Sequence, residues 1–138
     1  GVVVVGAALY CALAEMRIPC LWLPSGAKTF IATYFPDASC IYAEREREDG
    51  HREFEVKLSD GTDIEFHASG EWKKVDCGYS FLPAGIVPAA IVEDLAVRYP
   101  GAKIYKAERE RGGYEIKITG GLELIYSADG TFVREDMY

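Results

Sequence analysis

Four glutamates on two neighbouring segments, Glu44, Glu46, Glu53 and Glu55, have the residue type and spacing to do chemistry together. If Asp49-Gly50 closes a hairpin with residue 48 opposite 51, Glu46 faces Glu53 and Glu44 faces Glu55. Like charges directly opposite each other are unfavourable by roughly a few tenths of a kcal/mol or more. A hard, oxygen-seeking cation such as calcium, or a basic partner, would relieve that repulsion. A solvated face screened by Arg45, Arg47, Arg109 and Arg111 would relieve it too, and spacing alone does not choose between these. A corresponding hairpin further along sets Glu110 opposite Glu115 and Glu108 opposite Lys117.

A second set could bind rather than ligate. Trp72 and Phe132 each follow a glycine turn, at Gly70 and Gly130. A three-residue turn over 68–70 puts Trp72 beside Phe66 in the core. A four-residue loop over 68–71 puts it beside His67 on an open face. There, with Phe132, Tyr42, Lys74 and Arg134, it would form a hot spot for a protein or peptide partner. Other chemistry is not signalled. The chain has no glycine-rich phosphate loop, GxSxG, HExxH or EF-hand loop. His51 beside a turn and His67 on a polar strand face read as solvated, and exposed carboxylates lack the burial that acid catalysis needs. The expectation is a protein that is not an enzyme, with a hydrolase as the distant alternative.

These residues need a scaffold, and the composition supports one. The chain has 138 residues, 49% hydrophobic and 27% charged, enough for one core. Its net charge of −7 argues against nucleic acid or an anionic membrane as partner. Val2 to Leu13 is uncharged, too short to span a bilayer, and ends in Ala12-Leu13-Ala14. It reads as the end of a signal peptide over 1–14, or else as a buried N-terminal element. Export places the mature chain in the periplasm or outside the cell. Cys20, Cys40 and Cys77 then remain, so at most one pair can form within the chain, and reduced thiols are the alternative.

The prolines divide the rest. They fall at 19, 24, 36 and at 83, 88, 100, every pair 64 apart. The same offset carries Ala43-Glu44-Arg45-Glu46-Arg47 onto Ala107-Glu108-Arg109-Glu110-Arg111. After an apparent loss of four residues, an offset of 60 carries Phe54-Glu55-Val56-Lys57-Leu58 onto Tyr114-Glu115-Ile116-Lys117-Ile118. Residues 15–138 thus form one domain of two repeats, 15–78 and 79–138, sharing a core.

Each repeat reads as a helix and four strands. Pro24 and Pro88 suit the first helical position, and Pro36 and Pro100 close the helices. Ala27, Ile31, Phe35 and Ile91, Leu95, Tyr99 make i, i+4, i+8 stripes. Alternation and turn residues place strands at 39–48, 52–59, 63–67 and 71–75, then at 103–111, 114–119, 122–126 and 131–135. The intervening turns include Asp60-Gly61, Ser69-Gly70 and Gly112-Gly113. Such short links demand antiparallel pairing. Ile41, Phe54, Val56, Leu58, Ile64 and Phe66, with Tyr105, Tyr114, Ile116, Ile118, Leu124 and Tyr126, form the face under the helices. The fold class is α+β: eight antiparallel strands with two helices on one face.

The succession Leu23-Pro24, Phe35-Pro36, Phe54-Glu55-Val56-Lys57-Leu58 and Phe66-His67-Ala68-Ser69-Gly70-Glu71-Trp72, followed by Tyr99-Pro100, Tyr114-Glu115-Ile116-Lys117-Ile118 and Tyr126-Ser127-Ala128-Asp129-Gly130, resembles the PepSY-like periplasmic protein family of Bacteroidetes-type bacteria. The resemblance covers nearly all of 18–138. It implies one curved eight-stranded sheet like that of the β-lactamase inhibitor protein, and with it a binding or inhibitory role in the cell envelope, a peptidase being one partner of that kind. Some members of the family are described as calcium-regulated. His67-Ala68-Ser69-Gly70 lacks the aspartate usual in that turn, which counts against calcium there.

Overall fold

The order of elements follows from where the chain can and cannot hydrogen-bond to itself. The computed structural model describes residues 15–48 and 50–137. Strand β1 (Glu15–Ile18) and a single 3-10 turn (Cys20–Trp22) lead into helix α1 (Ser25–Tyr34). Strands β2 (Cys40–Glu48), β3 (His51–Leu58), β4 (Asp63–His67) and β5 (Trp72–Asp76) follow. Helix α2 (Ala89–Arg98) then precedes β6 (Ile104–Glu110), β7 (Gly113–Ile118), β8 (Leu122–Ser127) and β9 (Phe132–Met137). All nine strands form one antiparallel sheet in chain order. The α+β class therefore stands, with one strand more than expected. That strand, β1, is four residues long and pairs Ile18, buried, with Ala43 of β2. The stretch over 1–14, read as a signal peptide, and Asp49, expected in a turn, lie outside the described residues.

Pro24 and Pro88 precede the helices rather than occupy their first turn. Each has an extended ψ of 145°, and its carbonyl accepts the first helical hydrogen bonds, from Ala27 and Lys28 and from Ile91 and Val92. The stripes Ala27, Ile31, Phe35 and Ile91, Leu95 are buried against Val56, Ile64, Phe66, Ile116, Leu124 and Tyr126. Ten-residue helices are not stable alone, so this shared burial is what holds them. Where α1 meets the β4–β5 turn, backbones touch: a Cβ on Gly70, at φ +91°, would lie 3.0 Å from the Cα of Gly26.

Irregularities in the ladder decide which side chains reach which face. Cys40 pairs with Leu58 and Tyr42 with Lys57, so Ile41 is an extra residue. It is 60% exposed, which corrects its assignment to the core. Tyr105, similarly bulged out between Ile104 and Lys106, is half-buried. Beside Phe66 a third bulge makes Lys73 the extra residue and pairs Trp72 with Phe66. The β6–β7 turn is Arg111-Gly112, both at positive φ, 50° and 75°, and not Gly112-Gly113.

A disulfide joins Cys20 to Cys40 across 6.2 Å between Cα atoms, tying the turn before α1 to the start of β2. Cys77 is a buried free thiol, its pKa pushed up to about 11 by burial and then by Asp60 and Asp76. It is thus protonated and inert as a nucleophile at neutral pH.

Candidate cation-binding cluster on the open sheet face

Strand alternation delivers the glutamates to the face opposite the helices. Ala43 of β2 and Phe54 and Val56 of β3 are buried beneath the helices, so Glu44, Glu46, Glu53 and Glu55 point the other way. The register is the expected one: Glu48 opposite His51, Glu46 opposite Glu53, Glu44 opposite Glu55. Strand β1 adds Glu15 beside Glu46 and Arg17 beside Glu44. The Arg17 guanidinium rests 4.9 Å over the Tyr42 ring, and the Tyr42 hydroxyl donates to Glu44 Oε2 at 2.6 Å.

Three of the four glutamates converge. Carboxylate oxygens of Glu44, Glu46 and Glu55 lie within 4.8 Å of one another, all half-buried. Among the described residues, this is the one group of three or more His, Cys, Asp or Glu side chains so placed. Burial pushes the Glu46 carboxyl up to about 7. A hydrogen bond to Glu55 and repulsion from Glu55, Glu44 and Glu65 add to the rise. The fourth glutamate is taken elsewhere. Glu53, 7% exposed, receives Lys73 Nζ at 3.1 Å on both oxygens and has His67 Nδ1 at 4.0 Å. The bulge that buries Trp72 is what turns Lys73 onto Glu53, a consequence that alternation alone does not show.

Two of the arginines expected as a screen lie on the other face, and the arginine beside the cluster is Arg17 of β1. Arg45 pairs with the core residue Phe54 and donates to Met16 Sδ on the helix side, and Arg109 stacks on Trp72 there. No basic group among the described residues lies within 4 Å of the carboxylates of Glu44, Glu46 or Glu55. The second hairpin differs from expectation as well: Glu108 faces Glu115, Lys106 faces Lys117, and Glu110 faces Gly113, because its turn starts at Arg111. Lysines 74, 106 and 117 interleave with its glutamates, so that half of the face carries its own countercharge.

The five residues suggested for a protein partner do not form one patch. Trp72 is 4% exposed and belongs to the core, beneath the Arg109 guanidinium at 4.2 Å. Phe132 is half-buried against Tyr126, with the Arg98 guanidinium 3.4 Å over its ring. Tyr42, Lys74 and Arg134 are on the open face but on β2, β5 and β9, and each is engaged: Tyr42 with Glu44, Lys74 with Glu65 at 3.7 Å, and Arg134 with Asp136 at 3.3 Å. In the Ser127–Thr131 turn, Asp129 is held by the Ser127 hydroxyl and the Thr131 amide, which keep its carboxyl below the usual range.

A single antiparallel sheet backed by two helices and leaving one charged face open defines a class of small α+β modules. Residues 52–134 match the family model described as "Putative beta-lactamase-inhibitor-like, PepSY-like", and the chain belongs to that family. Solved structures agree. A "putative periplasmic protein" from Bacteroides vulgatus is 34% identical, with a TM-score of 0.84, covering 88% of this chain and 96% of its own. A "putative calcium-regulated periplasmic protein" from Bacteroides thetaiotaomicron is 31% identical, TM-score 0.85, covering 91% and 98%. A further Bacteroides vulgatus periplasmic protein of unknown function is 31% identical, TM-score 0.85, covering 88% and 98%. No curated protein sequence matches the chain. Among the described residues, no helix is long and apolar enough to cross a membrane.

Proposed function

We propose that the chain is an exported, non-catalytic module of the cell envelope, periplasmic or secreted, that binds a calcium-like cation through Glu44, Glu46 and Glu55. The convergence of those three carboxylates on an open face carries the reading; Arg17 of β1 is their basic neighbour, but among the described residues no basic group lies within 4 Å of their oxygens. Three carboxylates supply the hard oxygen donors that calcium takes, with water filling the remaining positions. The Bacteroides thetaiotaomicron relative described as calcium-regulated supports it, as does the oxidising location that the Cys20–Cys40 disulfide favours. The non-catalytic part is supported by the inert Cys77 thiol and by the exposure of His51 and His67. The likeness of the family to a β-lactamase inhibitor favours a second use of the same face, docking of a protein or peptide partner such as a peptidase. Lys74 and Arg134 remain on that face for such a contact, whereas Trp72 does not.

Proton and cation should compete for the cluster. The Glu46 pKa is raised in the folded protein, from 4.5 to about 7, so its contribution to stability is full below 4.5 and is lost as pH rises through about 7. Melting without a cation should therefore decline across that window. Millimolar calcium should reverse the decline at its neutral end and do little at its acid end. At ten times its Kd, a ligand specific for the folded state adds about 1.4 kcal/mol, or about 3–6 °C here. Glu46→Gln should flatten the pH dependence and abolish the calcium response. Equal melting with and without calcium at neutral pH would sink the proposal.

A further inference from the structure

On the helix side of the sheet, two guanidinium groups lie over aromatic rings at related positions. Arg98 covers Phe132, and its Nε and Nη2 donate to Asp94 at 3.0 and 3.2 Å. Asp94 also accepts from the Tyr126 hydroxyl at 2.6 Å. Arg109 covers Trp72, the counterpart of Phe132 at an offset of 60. There the acid is missing. The counterparts of Asp94 and Tyr126 are Phe30 and Phe66, which meet edge to face at 5.5 Å. Among the described residues no carboxylate lies within 4 Å of Arg109, and its Nε is buried with no acceptor. A sheltered guanidinium without an anion is costly, and among the described residues no carboxylate is placed within 4 Å of this one.

The unpaired group opens onto a cleft. A cavity of about 390 Å³ is bounded by Arg109, Trp72, Phe30, Tyr34, Gly26 and Gly70. Phe30, Tyr34 and Ile86 give it an apolar wall, and Ser69 and Glu71 a polar one. The contact between Gly26 and Gly70 keeps side chains out of one end, and α1 starts there with no acidic residue in its first turn. Glu71 also borders the cavity, and among the described residues its carboxylate is not within 4 Å of Arg109.

We infer that this cleft binds an organic carboxylate carrying an aromatic or branched apolar group. The carboxylate takes the Arg109 guanidinium, and the apolar part lies against Phe30 and Tyr34, with Trp72 backing the guanidinium from beneath. A free acid and the C-terminal carboxylate of a peptide share this chemistry. The site lies on the opposite side of the sheet from the glutamate cluster and does not depend on the cation reading.

Trp72 reports on its own site. Trp22 is 69% exposed, and in a Trp22→Phe background the buried Trp72 is the one remaining tryptophan. The titrants are phenylacetate with its neutral analogue phenylacetamide, and a tripeptide ending in phenylalanine with a free or an amidated C-terminus. The expected result is a saturable change in Trp72 emission with at least one free acid and none with either amide. A response to phenylacetate alone assigns a small acid, and a response to the peptide alone assigns a chain end. Arg109→Gln should weaken binding about tenfold or more, and Arg109→Lys by less, since charge is kept while the guanidinium is lost. A variant that did not fold would leave the acid–amide comparison on the parent protein to decide. No saturable response to either acid, equal responses to acid and amide, or unchanged affinity in a folded Arg109→Gln variant would overturn the inference.

Discussion

Trp72→Ala should cost about 3–5 kcal/mol of stability, the usual range for deleting a buried large aromatic. Trp72 is 4% exposed, packs on Tyr114 with ring centroids 6.3 Å apart, and carries the Arg109 guanidinium on its other side. Deleting the ring leaves a cavity beneath α1 and strips Arg109 of the ring it stacks on. Trp72→Phe should cost much less, because phenylalanine already serves at the related position 132. Urea unfolding measures both variants: the midpoint should fall with its slope unchanged. A loss for Trp72→Ala below about 1 kcal/mol would mean that the ring is not core and would return it to the interface reading.

The second large effect concerns the disulfide. Cys20 and Cys40 are separated by 20 residues, and the loop they close contains all of α1. The chain-entropy model gives about 3 kcal/mol for a loop of that size. Cys20→Ser/Cys40→Ser, or full reduction, should lower melting by on the order of 10 °C. The helix should then loosen first, since its Ala27 and Ile31 contacts are what anchor the loop. Thiol counting provides the control. The native chain should show no reactive thiol over residues 15–138 until it unfolds, when Cys77 becomes available. Free thiols titrating at Cys20 and Cys40 in native, unreduced protein would contradict the pairing.

Much of this is legible in the amino-acid sequence. Six prolines at a constant offset located both helices, and Asp49-Gly50 set the hairpin that brings Glu44 opposite Glu55. Arg45 and Arg109 do not screen the cluster, because period-2 alternation puts them on the face opposite Glu44. What stayed hidden was local irregularity. A bulge inverts the phase of a strand without changing its composition, so Ile41 left the core and Lys73 reached Glu53. The register of the second hairpin moved because Arg111, a non-glycine, takes the left-handed position. Four residues are too few for alternation to declare β1, and with it went Glu15 and Arg17, which flank the cluster.

The central claim is a cation held by Glu44, Glu46 and Glu55, and calorimetric titration of calcium at neutral pH tests it most directly. The account predicts one saturable site, proton release as the cation displaces the Glu46 proton, and loss of both in Glu46→Gln. Heat indistinguishable from dilution in the parent protein, or equal binding in Glu46→Gln, would contradict it.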